Sequence, residues 1–305
     1  IFSRKRKMED FMEANKASVT AELMARNRAA EHLLVPAGQR ICNDSYAHHF
    51  ISTEGRRNLN SPLRRTIRRL VFRFLYPGVY NTIIARVRFL DDRVQACLAA
   101  GLEQLVILGA GYDTRAYRLN GLAERVQVFE VDHPATQAVK KAKLKEIFNP
   151  VPGHVHHVPV ELERDNLAEQ LKKAGYDPNQ KTFFIMEGLV MYLPPPFVDK
   201  ILGFIREQSG AGSAVAFDYL PPSMVDGTVK AREGRSMMKA VRKWGEPFKF
   251  GLNVNDAAGF MRLRGFKDIM NVHAPELKHT IFKGNPRGED ISGIFGLMFA
   301  VVDSR

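Results

Sequence analysis

Residues 55–90 contain no acid: the stretch holds nine arginines and not one Asp or Glu. Cysteine is nearly missing from the whole chain, with Cys42 and Cys97 the only two. So sparse a pair excludes a disulfide framework and points to a reduced, cytoplasmic setting. No apolar run approaches the ~20 residues of a membrane span. Residues 1–10 are basic and lack an apolar core, so no secretory leader is expected. The chain has no G-x-S-x-G elbow and no P-loop, and no Ser-His-Asp or Cys-His arrangement is evident. His154, His156 and His157 have no Cys or acid at ligand spacing, so they read as strand surface and no metal is expected.

What is present is ordinary globular material. The chain has 305 residues, 45% hydrophobic and 26% charged, enough for one large or two small domains. Its net charge of +12 is unevenly placed. Within the acid-free stretch, Leu63, Ile67, Leu70, Val71, Phe74 and Leu75 share one helical face. Arg64, Arg65, Arg68, Arg69 and Arg73 fall mostly opposite, giving a basic amphipathic helix over 61–75. One reading packs its apolar face on the domain and solvates the arginines. Others use it to attract an anionic substrate, a membrane surface or nucleic acid. Sparse aromatics make nucleic acid the weakest of these.

The most informative stretch is 105–115, Leu-Val-Ile-Leu-Gly-Ala-Gly-Tyr-Asp-Thr-Arg. Leu105–Leu108 suits a buried parallel strand, and Gly109-Ala110-Gly111 follows as a turn with little side chain to bar a ligand. A second apolar strand ends in Glu130-Val-Asp132. A glycine turn after one strand and a carboxylate after the next is the layout of a nucleoside-binding α/β half. A dinucleotide site would want a third small residue where Thr114 or Arg115 stands. Asp113 would repel phosphate but suit a cationic ligand, and S-adenosylmethionine, with its sulfonium, ammonium and ribose, is such a ligand.

Beyond this point strands and helices alternate, as in a parallel sheet. Strands are expected at 105–109, 126–131, 155–160, 182–187 and 213–218, and later at 266–272 and 294–302. Helices are expected over much of 9–50, at 61–75 and 80–100, near 115–119, 134–148, 165–174 and 195–209, and from Asn255 to Arg264 with Asn253 or Asn255 near the cap. Residues 220–250 break the rhythm and read as an inserted helical lid. The expected domains are a helical cap over 1–100 and a Rossmann-like domain over 101–305.

Each of the first five strands ends in acid, and ligands bind beyond the carboxyl ends of such strands. Asp132, with Glu130 beside it, would take the ribose diol. Glu161 would accept from the adenine amino group, with the Leu162 N–H facing a ring nitrogen. Glu187 would pair with the ligand ammonium near the reactive centre. Arg86 or Arg28 would fork onto a ligand carboxylate. If the acceptor is a hydroxyl, a base is needed, and Tyr192, Asp218 or a nearby His are the candidates; a carboxylate acceptor needs none.

With these pieces in place, the chain resembles the leucine carboxyl methyltransferase-like family of class I S-adenosylmethionine-dependent methyltransferases. The resemblance rests on Ala85-Arg-Val-Arg-Phe-Leu-Asp-Asp92, Leu108-Gly-Ala-Gly-Tyr-Asp-Thr-Arg115, Phe129-Glu-Val-Asp-His-Pro134, Val160-Glu-Leu162, Glu187-Gly-Leu-Val-Met-Tyr-Leu193 and Gly245-Glu-Pro-Phe-Lys-Phe-Gly-Leu252, in the family's order. It implies a seven-stranded, mostly parallel sheet with an antiparallel last strand, an N-terminal helical cap and a lid after strand five. It also implies that Arg86 grips the methionine carboxylate, with Arg28 as a second cation, and that Gly109 lines the cofactor. Asp132 would take the ribose, Glu161-Leu162 the adenine, and Glu187 the methionine amino group. Glu161 departs from the family's usual Asp. The family includes members acting on small molecules, protein C-termini and a modified tRNA base, so fold does not give the acceptor. The expected function is O-methylation of a carboxylate or hydroxyl on a small-molecule acceptor, an anionic one being the kind that the arginine-rich stretch would attract. An NAD-type oxidoreductase and a non-catalytic basic docking protein are the alternatives from other classes.

Overall fold

A strand made only of Leu105, Val106, Ile107 and Leu108 after its first residue has no polar face, so it must be covered on both sides. In the computed structural model, which describes residues 19–303, that strand is β1 (Gln104–Leu108), an interior strand of the sheet. The others are β2 (Gln127–Asp132), β3 (Val155–Pro159), β4 (Thr182–Met186), β5 (Ala214–Tyr219), β6 (Phe266–His273) and β7 (Gly296–Val302). Their order is β3-β2-β1-β4-β5-β7-β6. β1 to β5 run parallel, and β7 lies antiparallel to both β5 and β6. This is the mostly parallel seven-stranded α/β fold that the resemblance implies.

Helices α1 (Val19–Leu34), α2 (Thr53–Asn60), α3 (Pro62–Leu75) and α4 (Val79–Ala99) precede the sheet. Crossovers carry α5 (Arg115–Arg118), α6 (Leu122–Arg125), α7 (Pro134–Ile147), α8 (Leu167–Lys173) and α9 (Pro195–Glu207). After β5 come α10 (Ser223–Asp226), α11 (Arg232–Lys243) and α12 (Ala257–Arg262), and α13 (Leu277–Thr280) precedes β7. Local chemistry sets several starts: Pro134 and Pro62 occupy first-turn positions, and the Asn166 carboxamide accepts from the Ala168 and Glu169 amides.

Alternation along the strands divides the core. Leu105, Ile107, Phe183 and Ile185 face α4 and the segment after β5, while Val106, Leu108, Phe184 and Met186 face the α8–α9 side. Burying a side chain such as Phe184 stabilises the fold by roughly 1.5–3 kcal/mol. Residues 220–250 are stitched to the body, because Met224, Val229, Met238 and Val241 are buried in the α4-side cluster. The two ends of the described chain are also joined. Glu31, fully buried on α1, accepts from Arg287 at 2.9 and 2.7 Å, from the Ile41 amide at 2.8 Å and from the Tyr80 hydroxyl at 3.1 Å.

Three differences from the sequence expectations stand out. The helical reading of 9–50 holds over Val19–Leu34, but the chain then runs irregularly with short 3-10 turns. Residues 1–18, and with them the basic start, lie outside the described residues. Helix α12 starts later than expected: Asp256, not Asn253 or Asn255, is its N-cap, and Asn253 instead donates to the Asp256 carboxylate at 3.1 Å. Finally, α3 has no buried residue, and Leu63, Leu70 and Phe74 are 71%, 64% and 61% exposed. The expectation that its apolar face packs on the domain is therefore overturned. The side turned inward is the opposite one, where Phe72 and Arg65 are half-buried.

Candidate functional site

The strand order changes direction at β1, whose neighbours β2 and β4 leave on opposite sides, so loops at its carboxyl end splay apart. Gly109 and Gly111 turn the chain there with φ of +66° and +46°. Only glycine suits both, since a Cβ at Gly109 would lie 3.0 Å from Leu189 Cδ1 and one at Gly111 3.2 Å from the Ala21 Cβ. The Ala110 amide donates to the Val131 carbonyl at 3.0 Å, fastening the turn to β2. The Gly111 amide donates to the Asp132 carboxylate, which also accepts from the His133 amide at 2.6 Å. Burial pushes the Asp132 carboxyl above its ordinary value, and these two amides oppose the shift.

A chain of charges runs across the ends of β1, β4 and β5. Glu187 accepts from Arg86 Nε at 3.0 Å through one oxygen and from Arg115 Nη1 at 2.7 Å through the other. Arg86 donates onward to Asp218 at 2.6 Å, and Asp218 accepts from the Gly188 amide at 2.6 Å. Arg115 also holds Asp113 and, at 2.7 Å, Asp91 of α4. Asp91 accepts from Arg118 at 2.7 and 2.8 Å, and Arg28 donates to Asp44 at 2.8 Å and to the Tyr112 carbonyl. Arg118 lies 3.9 Å from Asp44, which closes the series. Five carboxylates thus face four guanidinium groups, leaving one negative charge in excess.

The electrostatics follow from this pairing. Burial works to raise the Asp113 carboxyl, but Arg115, Lys140 and Arg28 overcome it and hold it at about 2. Burial likewise opposes ionisation of Glu187, and Arg115 and Arg86 override it, holding the group below the usual carboxylate range. Asp218 goes the other way, because burial outweighs Arg86 and the Gly188 amide. Burial raises the Tyr192 phenol, with Glu246 and Asp218 adding to it.

Most of the expected site residues converge here. Arg86, Gly109, Ala110, Gly111, Asp113, Asp132 and Glu187 lie around the ends of β1, β2 and β4. At the end of β3, Glu161 is partly exposed and accepts from Arg164 at 2.9 Å, while its own amide donates to Asp165 at 2.8 Å. Leu162 packs half-buried beside the α8–α9 cluster.

Three placements need correction. Glu130 is sealed within the fold, 2.7 Å from Lys140 and 3.3 Å from His157: it shares a strand face with Asp132 but lies one step back from the strand end, covered by α7. The Arg28 fork is already spent on Asp44 and Tyr112. Asp113 does not face outward as a lone charge but is clamped by Arg115. Of the three histidines, His154 meets the Ala116 carbonyl at 3.0 Å and His156 the Gln127 carboxamide at 2.8 Å, while His157 turns inward against Glu130 and so departs from the strand-surface expectation. Among the described residues, no group of three or more His, Cys, Asp or Glu is placed to hold a metal ion.

Sequence reasoning missed Arg115 and Asp91 as the centre of the network. The signal was present: an arginine two residues after Asp113, and an acid inside the apolar stretch of α4.

Most of the chain superposes on solved structures. A provisionally named methyltransferase from Thermobifida fusca matches with a TM-score of 0.58 at 15% identity, over 95% of this chain and 96% of that one. A DUF574 family protein from Streptomyces avermitilis matches with a TM-score of 0.57 at 14% identity, over 95% and 99%. These likenesses speak to the fold alone. Among curated relatives, the chain is 34% identical over 168 residues to YktD of Bacillus subtilis, covering 55% of each. It is 40% identical over 162 residues to a protein of Mycolicibacterium paratuberculosis, covering 53% of this chain and 51% of that one. Both relatives are provisionally named S-adenosyl-L-methionine-dependent methyltransferases, and the chain spans about half the length of the curated relatives it matches. The family model for leucine carboxyl methyltransferases matches residues 21–206, more than half of this sequence, and the chain belongs to that family.

Proposed function

We propose that this protein is an S-adenosyl-L-methionine-dependent O-methyltransferase whose acceptor is a carboxylate of a small molecule. The carrying observation is the charge arrangement at the strand ends: five carboxylates against four arginines, with Asp132 set apart beside the glycine turn. That donor set suits a ligand bearing a diol, an ammonium and a cationic sulfur. Asp132 would hold the ribose, Glu161 and the Leu162 amide the adenine, Glu187 the ammonium and Arg86 the methionine carboxylate. When bound, S-adenosylmethionine supplies an electrophilic methyl group.

What the chain adds is alignment and charge. Glu187 is kept ionised by two guanidinium groups, so it can meet an ammonium at neutral pH. Arg86 is held in one orientation by Glu187 and Asp218, so a methionine carboxylate would share its donors with those two acids. A carboxylate acceptor is already ionised at neutral pH and needs no base. This favours it over a hydroxyl, because Tyr192 is held protonated by burial and Asp218 is engaged by Arg86 and the Gly188 amide.

Calorimetric titration with S-adenosylmethionine, S-adenosylhomocysteine and NAD tests the cofactor. Binding of both sulfur ligands, lost in Asp132→Ala and Glu187→Ala and absent for NAD, is the expected result. No binding of either would overturn the reading. The acceptor class is checked on radiolabelled product: a carboxyl ester releases its methyl group in mild base, whereas a resistant product means a hydroxyl acceptor.

A further inference from the structure

We propose that α3 is a docking element that lays the protein on an anionic lipid surface. At about 100° per residue, Leu63, Ile67, Leu70, Val71 and Phe74 fall within a sector roughly 100° wide. All five are at least half exposed. The helix meets the body on its other side, through half-buried Phe72 and Arg65. The apolar strip therefore points away from the protein except at Phe74, whose ring the Arg232 guanidinium of α11 also faces. Arg64 and Arg68 border it on one flank, and Arg69 and Arg73 lie beyond the other.

This is the arrangement of a helix lying in the plane of a membrane interface, with apolar side chains entering the acyl boundary and arginines reaching the headgroups. No acid of α3 opposes the attraction, and Arg56 and Arg57 on neighbouring α2 are exposed and extend the basic surface. No helix among the described residues is long and apolar enough to cross a membrane, so the contact is with one leaflet only. Charge complementarity selects the occupant. A second copy docking strip to strip would bring arginine rows against arginine rows. Nucleic acid would leave Leu63, Ile67 and Leu70 without a partner, and the one aromatic ring of the strip, Phe74, is already faced by the Arg232 guanidinium at 4.1 Å.

The test is co-sedimentation of the full chain with vesicles of phosphatidylcholine alone and with about one third phosphatidylserine. The protein should pellet with the anionic vesicles and stay in solution with the neutral ones, and binding should fall as salt rises from ~0.1 M to ~1 M. Arg64→Gln/Arg68→Gln should weaken binding by about twenty-fold or more, at roughly fivefold per arginine near the surface. Ile67→Ser/Leu70→Ser should abolish it while leaving the thermal midpoint unchanged, since both side chains are already exposed. Equal binding to both vesicle types, no binding to either, or variants that bind like the parent would overturn the proposal. So would self-association, or RNA binding, that the same variants remove when vesicle binding is absent.

Discussion

Arg115 and Arg68 carry the same guanidinium into opposite surroundings. Arg115 is 2% exposed and touches three carboxylates, Asp91, Asp113 and Glu187. Arg68 is exposed on α3, a helix that has no acid at all. The first region hides charge and must pair it, because an unpaired buried ion costs several kcal/mol. The second displays charge and leaves it in water, where an ion pair would add little. The sequence contains arginine clusters in both places. What separates them is the supply of carboxylates nearby in space, which the order of strands decides.

The largest effect expected from breaking this contrast is at Arg115. Arg115→Met strands Asp113 in the interior and takes one of two cations from Asp91 and from Glu187, and should cost about 3–5 kcal/mol in urea unfolding, with loss of ligand binding. A cost under ~1 kcal/mol would mean that the network is not held together as described. Next, Glu130→Gln leaves Lys140 buried without its anion and should cost about 3 kcal/mol. It should leave S-adenosylhomocysteine affinity intact, unlike Asp132→Ala, which separates two acids only two residues apart.

Asp113 gives a pH signature of intermediate size. Its folded carboxyl, at about 2, lies below the ordinary 3.8, so its contribution is present above pH ~4 and lost as pH falls toward 2. The stability gap between the parent and Asp113→Asn should shrink by about 2 kcal/mol over that window. Asp218 is raised by burial and acts in the opposite sense, so the comparison must be made between the two proteins at each pH. The smallest effect belongs to the exposed helix: Ile67→Ser alone should shift stability by less than ~0.5 kcal/mol by the same measurement.

Much of this was legible beforehand because strands β1, β2, β4 and β5 are short apolar runs ended by acid, and the glycine turn marks the switch point. The acids Asp132, Glu187 and Asp218 were found by position alone. Pairing was not legible. Glu130 and Asp132 sit two apart and were both read toward the ribose, Asp132 first, and burial against Lys140 and His157 is what separates them. Arg28 looked available because Asp44, its partner, lies in an irregular stretch with no periodic signal. The amphipathic pattern of α3 was plain, but periodicity states that a helix has an apolar face and not what that face meets.

The ion pair between Glu31 and Arg287 joins residues 256 positions apart. Local helices form early, whereas contacts this distant wait on closure of almost the entire chain. During synthesis, α1 must leave the ribosome with a carboxylate whose cation has not yet been made. Helix α1, translated long before Arg287, is thus among the last elements to be finished, and a chain truncated before Arg287 should emerge with α1 unsettled even though every strand from β1 to β6 is already present.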